Sequence, residues 1–138
     1  MNLSLKHLFI LLLLFTVKPK REKDLHNLIY LLYFYGRPFE PFYRFNFIKR
    51  GKGVFSPYVQ QLLGELRQWN LVEKDSLKLT PKGQATYMDF SSLIWYEPSL
   101  KKLYEISIRY AQNPNLIAKD IRLNFIVQKT PAGKKISI

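Results

Sequence analysis

Apolar residues recur at helical spacing between residues 57 and 69, and this is the clearest pattern along the chain. Ser56 suits the N-cap of this predicted helix, and Pro57 suits its first turn. One face carries apolar side chains, namely Val59, Leu62, Leu63, Leu66 and Trp69. The opposite face carries Tyr58 and four polar side chains, Gln60, Gln61, Arg67 and Gln68. The pattern predicts an amphipathic helix with its apolar face inward.

Alternating apolar and polar positions follow the helix directly. Residues 71–74 and 77–80 alternate around the turn-prone pair Asp75 and Ser76, which predicts a two-stranded hairpin over 71–80. A helix followed at once by a hairpin is the layout of a winged helix-turn-helix. The polar helix face is then the surface that would enter the major groove of DNA.

The same periodicities predict the other elements. A proline two residues after Val17 ends the first helix, and Gly36 ends the second. The aromatic segment 43–48 alternates like a half-buried strand, and the tail 129–138 is expected to fray. The predicted helices are 3–16, 22–35, 57–69, 81–95 and 99–112, with 116–127 open between helix and strand.

The leucine-rich run 8–17 raises the question of a membrane segment. It is shorter than the about 20 residues that cross a bilayer, and no small-residue cleavage site follows it. We therefore expect a buried core helix and a cytoplasmic protein that does not contact the membrane. A membrane anchor remains the less favoured alternative.

The composition of the chain adds information about its partner, because the net charge is strongly positive. The 138 residues include 22 Lys and Arg against 10 Asp and Glu, a net charge of +12, and no cysteine. Hydrophobic residues make up 47%, which favours a folded domain over disorder. The positive excess favours a polyanionic partner, nucleic acid before a membrane surface, and the lack of cysteine excludes disulfides and thiolate metal sites.

Several cations stand where a winged helix would contact phosphates. Lys49, Arg50 and Lys52 alternate with glycines just before the predicted helix, which is typical of a phosphate clamp or of a solvated loop. The hairpin adds Lys74 and Lys78 as candidates for backbone phosphate contacts. The linker adds four more cations, Lys18, Lys20, Arg21 and Lys23.

Catalysis finds little support in the sequence. His7 and His26 are the two histidines, and neither belongs to a cluster with metal-ligand spacing. We expect no catalytic residue, no metal and no cofactor, and therefore no enzyme.

Three strings resemble motifs of the YwgA-like and Panacea-type winged-helix proteins. They are Leu25-His26-Asn27-Leu28-Ile29-Tyr30-Leu31-Leu32, Lys52-Gly53-Val54-Phe55-Ser56 and Leu79-Thr80-Pro81-Lys82-Gly83. The resemblance covers about residues 3–90. Two positions depart from the family pattern, since Asn27 stands in place of a lysine and Lys52 in place of a tyrosine. The resemblance implies a winged helix and a role among transcription regulators, antitoxins or domains of unknown role.

Together these observations predict a mainly α protein with a small antiparallel β-sheet (α+β). We expect a winged helix-turn-helix domain over 1–95 and a C-terminal helical extension with a basic tail over 96–138. The predicted function is transcriptional regulation through double-stranded DNA, read by helix 57–69 and held by hairpin 71–80. The alternative is a module that binds a protein such as RNA polymerase or a toxin. Five aromatic residues toward the C-terminus also suggest a homodimer or partner-docking surface, namely Trp95, Tyr96, Tyr104, Tyr110 and Phe125.

Overall fold

The computed structural model describes residues 1–37 and 45–137. These residues form seven α-helices and one antiparallel pair of strands, so the predicted α+β class is confirmed. The helices are α1 (Leu5–Thr16), α2 (Glu22–Gly36), α3 (Pro57–Gln68), α4 (Pro81–Phe90), α5 (Pro98–Gln112), α6 (Asn115–Leu123) and α7 (Phe125–Lys129). The strands are β1 (Ile48–Arg50) and β2 (Gly53–Phe55), and a 3₁₀ turn covers Ser91–Trp95.

Helix α1 forms the centre of the hydrophobic core. Each residue from Leu8 to Leu14 is at most 3% exposed, because α3, α4 and α5 all pack against this helix. Ser4 caps its start by accepting a hydrogen bond from the backbone N–H of His7. The expected buried helix is confirmed. Across the described ranges, no helix is both long enough and apolar enough to span a membrane.

Helix α2 is the second central element. Helices α5 and α6 and strand β2 pack around it, which accounts for its burial on more than one side. The Tyr30 hydroxyl donates a hydrogen bond to Asn124 Oδ1 at 3.1 Å, and Asn124 in turn caps α7. The helices after residue 96 thus share one core with the helices before it.

The sheet lies later in the chain than predicted. Tyr43 and Arg44 of the predicted strand 43–48 fall outside the described residues, and residues 45–47 form no strand although Phe45 and Phe47 are buried. The strands begin at Ile48, which pairs with Phe55, and the chain reverses at Gly51 with φ of 58°. The glycine-rich segment that was predicted as a loop therefore forms the tip of a β-hairpin. Gly51 can adopt the left-handed backbone conformation of this turn because glycine has no Cβ.

The C-terminal tail, predicted to fray, is ordered over its described residues 129–137. Its residues hydrogen-bond along the open edge of β1, with Lys49 N–H donating to Lys134 O and Ile136 N–H donating to Phe47 O. Ile136 is 3% exposed and provides the apolar anchor that the prediction overlooked.

The predicted hairpin 71–80 is a loop with little regular strand. One isolated bridge joins Val72 and Leu79 within it. The bridge consists of two backbone hydrogen bonds, from Glu73 N–H to Lys78 O and from Thr80 N–H to Leu71 O. Thr80 then caps α4 by accepting a hydrogen bond from the Gly83 N–H.

Two glycines give opposite predictions for stability. A Cβ at Gly83 would collide with the backbone carbonyl oxygen of Leu71. A Cβ at Gly64, an exposed position of α3, would meet nothing within 4 Å. We expect Gly83→Ala to lower the free energy of unfolding by about 2–3 kcal/mol through steric overlap. Gly64→Ala should raise it by about 0.5–1 kcal/mol, since alanine favours the helical state. Urea unfolding of both variants measures the difference, and equal effects would contradict this packing.

Candidate nucleic-acid interface

A cleft of about 770 Å³ lies between the start of α2, the β1–β2 hairpin and α6. Cations from three separate parts of the chain line it. They are Arg21 and Lys23 from the start of α2, Arg50 and Lys52 from the hairpin, and Arg122 from α6. The fold thus gathers charges that are up to a hundred positions apart in sequence.

The walls of the cleft are held by specific hydrogen bonds. Gln128 Nε2 donates to the carbonyl oxygens of Lys52 and Ile121, at 3.1 and 3.0 Å, which ties the hairpin tip to α6. Asn27 Oδ1 accepts a hydrogen bond from the Val54 N–H at 3.0 Å and so joins α2 to β2. The spacing between the cationic walls is therefore set before any ligand arrives.

Helix α6 is fixed on its other side by a carboxylate. Asp120 accepts two hydrogen bonds from the Arg109 guanidinium, at 3.0 and 3.2 Å, and one from the Tyr110 hydroxyl at 2.8 Å. Burial opposes ionisation of Asp120, but these hydrogen bonds outweigh it and lower the pKa of the carboxyl. This anchoring positions Arg122, two residues later, at the cleft.

Two carboxylates line the described part of the cleft, and both already have partners within the protein. Asp24 forms an ion pair with Arg21 at 3.2 Å. Glu22 accepts hydrogen bonds from Gln60 Nε2 at 2.8 Å and from Arg67 Nη1 at 3.4 Å. The bond from Gln60 is the main reason that the pKa of Glu22 is lowered, and Arg67 adds to it against the effect of burial. Five cations outnumber these two carboxylates, so the lining keeps a positive excess.

His26 joins this cluster to α3 from a buried position, with 1% of its surface exposed. The Ser56 N–H donates to His26 Nδ1 at 3.0 Å, so Nδ1 carries no proton. In the neutral ring the proton is therefore on Nε2, which lies 3.0 Å from Gln60 Oε1 and donates to it. Burial lowers the pKa of His26 below its ordinary 6.5, although Gln60 and Glu22 oppose the shift.

Arg67 holds the loop 71–80 against α3. Its Nε donates to Glu73 O at 3.0 Å and its Nη2 donates to Ser76 O at 2.9 Å. With Glu22 as the third acceptor, the Arg67 side chain is 18% exposed. Gln60 and Arg67 were both expected to read bases, and both are bonded within the protein.

The remaining predicted contact residues on α3 differ in how exposed they are. Gln61 and Gln68 are exposed on α3 and share one stripe with Gly64. Tyr58 is half-buried, with the ammonium of Lys6 4.7 Å from its ring centroid.

The cations of the β1–β2 hairpin and of the loop 71–80 also differ in exposure. Lys49 is 8% exposed and donates to Val127 O at 2.6 Å, so it belongs to the interior. Arg50 is exposed, and its guanidinium carbon lies 3.6 Å from the centroid of the Phe55 ring. Lys74 is exposed on the loop 71–80, and Lys78 lines a separate groove.

Two residues of the cleft have roles that the sequence pattern did not reveal. Arg122 lies in the segment that periodicity left open between helix and strand, so its place beside the hairpin could not be derived. Asn27 was noted as a departure from the family pattern, and it holds β2 in place. Close packing of the Asn27 side chain against Gly53 leaves no space for a Cβ at that glycine.

The geometry at His26 predicts how the protein responds to pH. Its folded-state pKa is lowered, so the unfolded chain takes up a proton first as the pH falls below 6.5. Protonation would also direct an Nδ1 proton at the Ser56 N–H and remove that hydrogen bond. We expect stability to be complete above pH 6.5 and to decline below it. NMR titration of the His26 ring should give a midpoint below 6.5, and a midpoint above that value would contradict the assignment.

Comparison with protein-family models, curated proteins and solved structures gives no match for this chain. The feature of this chain that bears most directly on function is the preformed cleft with its positive excess.

Proposed function

We propose that this chain is a winged-helix protein that binds double-stranded DNA and regulates transcription. The observation that carries the proposal is the convergence of Arg21, Lys23, Arg50, Lys52 and Arg122 on one cleft. Lysine and arginine side chains that neutralise phosphates release condensed counterions, which drives association. A DNA backbone laid along the cleft would meet cations from both walls.

The order of elements supports the winged-helix part of the proposal. Helices α1 and α2 precede the small sheet, α3 follows it, and the bridged loop 71–80 stands where a wing would lie. Ser56 caps α3 as the resemblance to winged-helix proteins implies, since its hydroxyl accepts from the Val59 N–H.

Base reading has a smaller part in this proposal than phosphate binding. Gln60 and Arg67 are bonded to Glu22, which leaves Gln61 and Gln68 on the exposed stripe of α3. Glutamine can bridge the N6 and N7 atoms of adenine in the major groove. Phosphate contacts position a protein without specifying sequence, so affinity should depend strongly on salt and modestly on sequence.

The test compares a variant that lacks two charges of the cleft with a variant that lacks two charges elsewhere on the surface. We expect Arg50→Gln with Lys52→Gln to weaken duplex binding by about tenfold at 0.1 M salt. The slope of log affinity against log salt should fall by roughly 1.8, because each lost phosphate contact accounts for about 0.9. Fluorescence anisotropy of a labelled duplex at several salt concentrations measures both quantities.

The matched control is Lys101→Gln with Lys102→Gln, which removes the same charge from the exposed face of α5. This control should leave the salt slope close to that of the wild type. Equal losses in the two double variants would show that net charge alone drives binding, and would contradict a DNA site at the cleft.

One observation favours the alternative, a protein-interaction module. Large apolar side chains are exposed together around the end of α4 and the 3₁₀ turn, including Phe90 (42%), Trp95 (64%) and Tyr96 (82%). Exposed apolar patches mark interaction surfaces, and aromatic residues dominate their energetics. A second copy of the chain is the partner that can be tested directly.

We expect Trp95→Ser with Tyr96→Ser to abolish self-association if this patch is a homodimer interface. Burial of the two rings is the favourable contribution that the double variant removes. Sedimentation velocity over a range of protein concentrations measures the change, with Lys102→Gln as a control substitution at an exposed position of α5. A wild-type protein that stays monomeric throughout would exclude the homodimer.

A further inference from the structure

A second groove, of about 590 Å³, shares none of its described lining residues with the cleft. It runs between the end of α1, residues 18–20 and the loop 71–80. Its lining includes apolar side chains from two elements, Leu14 and Phe15 of α1 and Leu77 and Leu79 of the loop. An apolar lining of this kind has no use in phosphate binding, which sets the groove apart from the cleft.

Three ammonium groups flank this apolar lining. Lys18 and Lys20 belong to the linker, and Lys78 belongs to the loop. Glu73 is the carboxylate among the described lining residues, and its Oε1 accepts a hydrogen bond from the Ser76 hydroxyl at 2.7 Å. The lining thus combines apolar side chains with a net positive charge.

The groove is formed in advance rather than assembled by a ligand. Phe15 stacks on Tyr87 with ring centroids 4.6 Å apart, which fixes the α1 side. The two hydrogen bonds from Arg67 to Glu73 O and Ser76 O fix the loop side. Lys18 has a φ of 57° and its N–H donates to Leu13 O, so the start of the linker is fixed by the end of α1.

We propose that this groove binds a small amphipathic anion, with an apolar body and one carboxylate or phosphate head. Its volume falls within the about 300–1,000 Å³ that is usual for small-ligand pockets. The body would cover the leucine and phenylalanine side chains, and the head would lie among the lysines. Charge complementarity therefore selects the anion over a neutral molecule of the same shape. This site goes beyond DNA binding, and its test contains no DNA.

The experiment compares decanoate with decanol, which has the same chain length and no charge. Leucine methyl NMR of the full chain follows Leu77 and Leu79, with the exposed Leu123 as a distant reference. Decanoate should shift the first two and bind about tenfold more tightly than decanol. The double variant Lys18→Gln with Lys78→Gln should lose about tenfold in decanoate affinity, since each exposed pair contributes a few-fold.

The matched control is again Lys101→Gln with Lys102→Gln, which should bind decanoate as the wild type does. Unshifted Leu77 and Leu79 methyls would overturn the proposal, as would equal affinities for decanoate and decanol. A third arm adds vesicles that contain anionic lipid. Binding to vesicles without binding to monomeric decanoate would assign the lysines to a membrane surface instead and would also overturn it.

Discussion

The arrangement of this protein depends on one hydrogen-bonded series that runs from a buried histidine, His26, to the largely covered Arg67. Ser56 N–H donates to His26, His26 donates to Gln60, Gln60 donates to Glu22, and Arg67 donates to the same carboxylate. The series joins the start of α3 to α2 and, through Arg67, to the loop 71–80. The His26 end of the series is buried, and a buried polar group stabilises the fold when it has its partners, as His26 does at both ring nitrogens. The orientation of α3 follows from this series.

This constraint also determines which charges remain for a ligand. Because Gln60 and Arg67 hold the fold together, the polar face of α3 that stays exposed is small and uncharged, with Gly64 at its centre. The cations of the cleft, which do face solvent, lie instead at the start of α2, on the hairpin and on α6. These cleft charges therefore lie beside α3 rather than on it, and in the proposed function the binding of phosphate would be separate from the reading of bases.

Much of the fold could be predicted because it depends on local rules. Caps and prolines gave the starts of α3 and α4, and the length of the apolar run predicted that α1 is buried. The sheet could not be placed, since the aromatic alternation of residues 45–47 reflects packing against the core and not strand pairing. The ordered tail was missed because its partner is β1, more than eighty residues earlier.

The candidate site was harder to predict for the same reason. Periodicity assigned Gln60 and Arg67 to the correct face of α3 but could not show that Glu22 lies opposite them. Likewise, Lys49 and Arg50 are adjacent in a basic run, yet strand alternation buries the first and exposes the second. Whether a cation is available to a ligand depends on its neighbours in space, and those follow only from the tertiary structure.

The most direct measurement of the central claim is the backbone amide NMR spectrum during titration with duplex DNA at moderate salt. The account predicts that shifts concentrate at residues 21–24, at the hairpin tip 50–53 and around Arg122, with smaller shifts along the exposed stripe of α3. Shifts confined to α5, to the aromatic residues 90–96 or to the α3 stripe, with the cleft unchanged, would contradict it.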